Sequence, residues 1–333
     1  MKKQTVPASP KKGGKKKIWI PCLAGGIVLS LAIAFVCTVF VPMYQWIHPE
    51  KVPFEELPSD HGLDYYGFEV ETVNGTVYGW KMAAQQPMDA DAEEWVYATE
   101  YSDKTVILAS NYDSNREISD LGGIDYMADL CAAGYNVITF DWTGSGYSDG
   151  TKNVFTLDKT EELKAVVAFA AEETGASFIA VQGIGFGCYP AAVAAAECEQ
   201  VDALILDSCY ASFEDAFYGN FELWSGVPIE PVKASVQCLF PLVSGVDLPS
   251  ASLADPMNAL SGKSVLFIQG ENDEVFGTQG ASRLYELAKA DNTASLWLVP
   301  EVGQLRARSY DGETYLEKVN EFLTKSVKAE EKA

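Results

Sequence analysis

Six residues that follow buried, apolar segments bound the candidate ligand pocket of this chain of 333 residues. They are Ser110, Asn111, Gly185, Phe186, Asp273 and Gln304. Asp273 is the one residue of the set with a side chain that is ionised at neutral pH. Gly185 has no side chain, and the amide of Gln304 cannot accept a proton at neutral pH. The set therefore offers hydrogen bonds and one carboxylate to a ligand, but no nucleophile with a base beside it.

Histidine and cysteine, the other residues that commonly do chemistry, are few and scattered. The only two histidines, His48 and His61, both precede the main body of the chain. Five cysteines lie after the apolar N-terminal run, and their spacing fits neither a disulfide framework nor a zinc site. Cys188 is the thiol nearest to Gly185, and without a histidine partner it is interpreted as a packing residue. The sequence predicts no metal and no cofactor.

Alternating strands and helices must position the candidate residues. Short apolar runs without alternation predict buried strands at 105–110, 135–141, 177–183, 203–207, 264–270 and 295–300. Helical stretches separate them, at 124–133, 158–173, 187–198, 280–290 and 313–323. A hairpin around Asn74-Gly75 precedes these units. The pattern predicts an α/β fold with a mostly parallel central sheet and an N-terminal hairpin.

Residues 208–262 break this rhythm. They contain five prolines and several aromatic residues but no strand pattern. We interpret the segment as a small helical cap insertion over the carboxyl edge of the sheet, where ligand sites of α/β proteins form. Trp224 and Phe240 are the aromatic residues expected to act as a lid.

Five motifs in the body resemble those of the α/β-hydrolase superfamily, in its lysophospholipase and serine-aminopeptidase-like branch. They are FDWTGSGYSDG at 140–150, VQGIGFGCYPAA at 181–192, ILDSCYASFED at 205–215, IQGENDEVF at 268–276 and VPEVGQ at 299–304. The resemblance covers nearly all of the chain after residue 63. The resemblance implies the α/β-hydrolase fold, with a nucleophile elbow, an acid loop and a histidine loop.

The resemblance implies a Ser-His-Asp triad, but two of its three positions are substituted. The nucleophile position is Gly185 and the histidine position is Gln304, so that only the acid, Asp273, remains. Ser110-Asn111 replaces the usual His-Gly of the oxyanion loop, while the backbone N–H of Phe186 would still supply one half of an oxyanion hole.

Two further assignments concern the loops. Asp273 is either a ligand-contacting group or a loop residue whose carboxylate is satisfied by local N–H groups. Asp141, Ser145 and Ser148 are expected to organise the loop that contains them rather than to react.

The N-terminal region predicts a membrane anchor. Seven lysines precede an uncharged run from Ile18 to Val41, which as a helix would be about 36 Å long and would cross a hydrocarbon core of about 30 Å. Its length favours an uncleaved anchor over a cleaved signal peptide. The positive-inside rule then places the lysines in the cytoplasm and the main domain outside the cell membrane.

The domain organisation follows from these segments. We predict a basic cytoplasmic tail at 1–17, a transmembrane anchor at 18–42, an irregular stalk at 43–63, an α/β-hydrolase-like domain at 64–326 with its cap at 208–262, and a charged tail at 327–333. From Ile18 onward there are 17 basic and 47 acidic residues. This net charge repels phosphate backbones and excludes nucleic-acid binding as a main role.

Three functions fit the sequence. The first is a catalytically inactive, membrane-anchored protein that binds a small-molecule, lipid or peptide ligand, or a partner protein. The second is a divergent hydrolase of ester, acyl or peptide bonds that activates water through Asp273 or an unrecognised group. The third is a structural or adhesive surface domain.

Overall fold

The computed structural model describes residues 19–88, 100–154, 157–248 and 251–330. The predicted basic tail at 1–17 and the end of the predicted tail at 327–333 lie outside this part of the chain. The strands are β1 (Tyr66–Thr72), β2 (Gly75–Met82), β3 (Lys104–Ala109), β4 (Asn136–Phe140), β5 (Phe178–Ile184), β6 (Ala203–Asp207), β7 (Ser264–Gly270) and β8 (Thr293–Val299).

These strands form one sheet in the order β1-β2-β4-β3-β5-β6-β7-β8. The β1–β2 hairpin is antiparallel and joins β4 in antiparallel register, whereas β3 to β8 pair in parallel. Every residue of β4, β5 and β6 is buried, as their continuous apolar runs predict. The predicted mostly parallel sheet with an N-terminal hairpin is confirmed, although the hairpin loop is Val73-Asn74, one residue earlier than expected.

Helices cover both faces of the sheet. They are α1 (Trp19–Phe35), α2 (Val41–Ile47), α3 (Gly123–Ala132), α4 (Leu157–Thr174), α5 (Cys188–Glu197), α6 (Phe213–Ser225), α7 (Lys233–Ser244), α8 (Ala254–Ala259), α9 (Thr278–Ala288), α10 (Ala307–Tyr310) and α11 (Gly312–Glu330). Short 3₁₀ turns occur at Pro58–His61, Ser119–Leu121 and Gly185–Gly187, and a π-helical turn at Val36–Phe40 joins α1 to α2.

Two apolar cores lie on opposite faces of the sheet. One is formed with α4, α5 and α9, and the other with α3 and α11. The predicted cap contains α6, α7 and α8, and its described residues form no strand, only an isolated bridge between Ser212 and Ser252. Phe213, Phe217 and Phe240 bury their rings on the side of the cap that joins the first core.

The N-terminal helix does not end where the sequence suggested. Cys22–Ile47 forms a helix of 26 residues with a mean hydropathy of 2.5. This helix is long and apolar enough to cross a membrane. Its last part enters the first core, because Val39, Met43, Trp46 and Ile47 are buried there. The spacing of these residues places them on one helical face.

The prediction of an irregular stalk from residue 43 was therefore wrong for its first five residues. The following residues are also held against the domain. The side chain of Asn115 donates to the carbonyl of Val52 at 3.2 Å, and Phe54 packs edge-on against Trp80 with ring centroids 4.8 Å apart. Residues 49–57 form neither helix nor strand, and Pro49 and Pro53 lack the backbone N–H that regular structure would need at those positions.

Candidate functional site

The turn between β5 and α5 has the geometry of a strand-to-helix elbow. β5 ends at Ile184, the 3₁₀ turn Gly185–Gly187 follows, and α5 begins at Cys188. Gly185 has φ = +55°, in the left-handed region, which a glycine adopts at no steric cost. The elbow is thus retained, and the position at its apex carries no reactive atom.

The side chain of Asn111 fills the space beside Gly185. Its Oδ1 accepts a hydrogen bond from the backbone N–H of Phe186 at 3.0 Å, and its Nδ2 donates to Asp113 at 3.2 Å. A Cβ added to Gly185 would lie 2.8 Å from Cγ of Asn111 and closer still to Oδ1. The N–H of Phe186, which was expected to form half of an oxyanion hole, already has an acceptor.

Asp273 is tied to its own loop after β7. Its Oδ1 accepts from the backbone N–H groups of Val275 at 3.0 Å and Phe276 at 2.8 Å, and its Oδ2 accepts from Nε2 of Gln269 at 2.6 Å. Burial raises the pKa of Asp273, and these hydrogen bonds partly offset the rise. The contacts correspond to a loop residue satisfied by local donors.

An aromatic cluster fills the apolar space between the elbow and the cap. Trp46 of α2 is 4% exposed and stacks on Tyr112, with ring centroids 4.5 Å apart. Its ring also meets Phe217 at 4.8 Å and Phe186 at 5.7 Å, both edge-on, and Tyr112 donates its hydroxyl to the carbonyl of Trp46. The pocket predicted under the cap is therefore occupied by the protein's own helix.

The sequence reasoning missed Trp46, although a signal was present. The apolar run continues past Pro42 with buried positions at 39, 43, 46 and 47, which is the spacing of one helical face. Of the two residues expected to form a lid, Phe240 is fully buried in the aromatic cluster, with its ring centroid 4.9 Å from that of Phe217.

An open cleft of about 840 Å³ lies next to this filled pocket. Asn111 and Gln304 line it, whereas Ser110, Gly185, Phe186 and Asp273 do not. Two of the six predicted residues therefore line the cleft, and Asn111 does so while remaining largely buried. Trp224, the other expected lid residue, also lies on the cleft wall.

His48 and Asp120 are cleft residues that sequence reasoning did not assign to the site. His48 stacks on Tyr44 with ring centroids 4.1 Å apart, and its Nδ1 lies 3.0 Å from the carbonyl oxygen of Tyr44. Neither residue lies at the end of a predicted strand, and the tertiary fold brings both to the wall of the cleft.

Asp120 has the most perturbed carboxyl group of the cleft. Burial raises its pKa to about 6, the charges of Asp113 and Asp207 add to the rise, and Arg306 opposes it. Its Oδ2 is buried and has no hydrogen-bond partner among the described residues. This oxygen is an acceptor without a donor.

Three other predicted assignments concern buried groups. Cys188 is fully buried, its thiol donates to the carbonyl of Gly183 at 3.2 Å, and burial raises its pKa, as expected of a packing residue. Asp141 accepts from the backbone N–H of Arg116 at 2.6 Å, while Ser148 donates to the Asp141 carbonyl at 2.7 Å. Ser145 accepts from Asn153 at 2.7 Å, so all three residues of that loop have structural contacts.

The part of the chain that the structure describes contains no group of three or more His, Cys, Asp or Glu side chains arranged to hold a metal ion. Ser110 is buried, and its hydroxyl has no hydrogen-bond partner among the described residues.

No protein-family model and no curated protein matches the sequence. Among solved structures, an esterase of Pyrococcus furiosus, Pf2001, superposes with a TM-score of 0.68 and 23% identity over 84% of this chain and 97% of its own. Est1E of Butyrivibrio proteoclasticus, with ferulic acid bound, gives a TM-score of 0.58 and 17% identity over 78% of this chain and 99% of its own.

The Pyrococcus horikoshii acylaminoacyl peptidase matches at a TM-score of 0.54 and 12% identity, over 79% of this chain and 42% of that one. At these identities the likeness concerns the fold alone. It confirms the fold class that the five sequence motifs predicted, and the chain has the α/β-hydrolase fold.

Proposed function

We propose that this chain of α/β-hydrolase fold is a membrane-anchored binding protein without hydrolase activity. The observation that carries the proposal is the contact between Asn111 and the elbow. The amide of Asn111 takes both the space of the missing nucleophile side chain at Gly185 and the backbone donor at Phe186.

The chemistry of this fold needs a nucleophile, a base and donors for the developing oxyanion. Gly185 supplies no nucleophile, and Gln304 supplies no base. The carboxylate of Asp273 accepts from Gln269 of β7 and from two backbone donors of its own loop. The ring of His61 lies between two carboxylates, Glu56 at 2.7 Å and Asp125 at 2.8 Å. Burial lowers the pKa of His61, but hydrogen bonds and charge from these two partners outweigh burial, so that its pKa is raised.

One observation supports hydrolysis as a second candidate. The cleft contains His48 together with Asp120, whose pKa of about 6 suits a general acid or base near neutral pH. These two residues, rather than Asp273, are the groups through which a divergent hydrolase would act.

Turnover assays on the full chain separate the two functions. In lipid nanodiscs, we expect background rates with p-nitrophenyl acetate and no labelling by a fluorophosphonate probe. The matched variants His48→Ala and Asp120→Asn should give the same background as wild type. Wild-type turnover that persists through repurification and is lost in either variant would replace the binding function with the hydrolase.

The length of the free helix supports the anchoring. Because Val39 is buried in the domain, the part available to lipid runs from residue 19 to residue 38. Twenty helical residues reach about 30 Å, the thickness of a hydrocarbon core. Leu23, Val28 and Leu31 are each more than half exposed, as lipid-facing side chains would be.

Cys238 provides a test of the orientation. Outside the proposed span it is the exposed cysteine among the described residues, whereas Cys131, Cys188 and Cys209 are buried. Because Cys198 is only partly buried, the test uses a Cys198→Ser background: a membrane-impermeant maleimide added to intact cells should label that chain and should not label it when Cys238→Ser is added. Labelling of Cys238 that appears only after lysis would place the domain in the cytoplasm.

A further inference from the structure

The open cleft combines two kinds of surface. Four segments of the chain meet there: the end of α2 with residues 48–50, the segment 111–120, α6, and residues 304–309, which extend into α10. Its volume of about 840 Å³ lies within the range of about 300–1,000 Å³ that small-molecule sites occupy. One part of the wall is polar, and the other part is aromatic.

The polar part has hydrogen-bonding capacity that the protein leaves unused. Among the described residues, no group hydrogen bonds to the side-chain amides of Gln45 or Gln304, both on the cleft wall. Oδ2 of Asp120 is a buried acceptor without a partner. An amide presents a donor and an acceptor side by side, so it pairs with a ligand hydroxyl that accepts and donates.

The charges of the wall have both signs. Glu50, Asp113 and Asp120 stand against Arg306, and the charge of Arg306 acts on Asp120 directly. A wall of mixed charge with free amides suits an uncharged ligand that carries many donors and acceptors. A fully anionic or fully cationic ligand would meet like charges on part of this surface.

The aromatic part is formed at the end of α6. Trp224 is 52% exposed on the cleft wall, and Leu223 lies beside it. An exposed indole face packs against a flat apolar surface of a ligand whose edge carries polar groups. The apolar pocket that would take an acyl chain is closed by Trp46, which excludes a long hydrocarbon ligand from that space.

We propose that the cleft binds a saccharide, with the apolar face of one sugar ring on Trp224 and its hydroxyls on Gln45, Asp120 and Gln304. A pyranose ring has this combination of an apolar face and a rim of hydroxyls. The inference rests on the proposed binding function and names the class of its ligand.

Titration with four disaccharides tests this inference. The full chain is held in phosphatidylcholine nanodiscs, because detergents with sugar head groups would compete for the cleft. Cellobiose, maltose, lactose and N,N′-diacetylchitobiose are titrated by calorimetry, and tryptophan fluorescence is followed in parallel. We expect saturable binding of at least one, weakened about tenfold or more by Trp224→Ala, which corresponds to about 1.4 kcal/mol.

Two further variants complete the design. Asp120→Asn should also weaken binding, because it keeps the shape but replaces the acceptor pair. Leu242→Ala, at a 77% exposed position of the cap that does not line the cleft, should bind as wild type does. Absence of saturable binding for all four disaccharides, or binding indifferent to Trp224→Ala, would overturn the inference.

The same experiments distinguish a wrong saccharide assignment from a wrong proposed function. If no disaccharide binds while the turnover assays stay at background, the saccharide assignment is wrong and the absence of hydrolase activity stands. If a bound disaccharide is cleaved to monosaccharides, the saccharide assignment stands and the absence of catalysis is wrong.

Discussion

Replacing Trp46 by alanine should destabilise the whole domain, although the residue belongs to the N-terminal helix. The Trp46 ring is 4% exposed and has five aromatic neighbours, with centroid distances from 4.5 to 6.4 Å. Truncation of a buried tryptophan costs about 3–5 kcal/mol, because the side chain leaves a cavity that its neighbours fill only in part. For a domain of this size each kcal/mol lowers Tm by about 2 °C, so we expect a decrease of about 6–10 °C.

Thermal unfolding of the nanodisc-embedded chain, followed by near-ultraviolet circular dichroism, measures this decrease. Trp224→Ala is the matched control, because it removes the same side chain from a half-exposed position and should change stability by only about 0.5 kcal/mol. Equal Tm values for the two variants would show that α2 is not part of the core, and the account of a filled pocket would fail.

Three further predictions concern the elbow, the cleft and the cap. Gly185→Ala should lower the free energy of unfolding more than Gly175→Ala, because both positions have positive φ but only the Cβ at 185 would collide with Asn111. Chemical denaturation that shows equal losses for the two variants would contradict the filled elbow. Burial raises the pKa of Asp120 from 3.8 to about 6, so between these pH values the folded protein binds more protons at Asp120 than the unfolded chain does. The contribution of Asp120 to stability therefore falls as pH rises. Asp120→Asn should raise Tm relative to wild type at pH 7 and not at pH 4. Hydrogen exchange should be faster in residues 208–262 than in β3, β4 and β6, and uniform protection would indicate a closed domain.

The strands of this fold could be predicted closely from the sequence. β6 and β7 occupy the residues expected of them, and β8 begins two residues earlier than predicted. Buried parallel strands consist of continuous runs of apolar, β-branched residues, so local composition is enough to locate them in the sequence. Gly185 lies in the strand-to-helix turn where the motif placed it, whereas the assignment of Gln304 to the histidine position stays a prediction.

The contents of the pocket could not be predicted in the same way. Local composition indicated prolines and acids after residue 43, and it correctly excluded regular structure from most of 48–63. The end of α2 fills a space between the cap and the sheet. Residues distant in sequence form the walls of that space, so local composition does not reveal it. The rotamer that brings Asn111 onto Phe186, and the arrival of His48 at the cleft, have the same tertiary origin.

The shared core of helix and domain bears on whether the protein could be shed. A protease cut after Ile47 would separate the domain from Val39, Met43 and Trp46, which lie in its core. A fragment released in this way would expose Phe186, Phe213 and Phe217 to water, and such a contiguous apolar surface favours aggregation. The domain is therefore expected to persist only together with its helix, and a cut after Ile47 would not yield a stable free fragment.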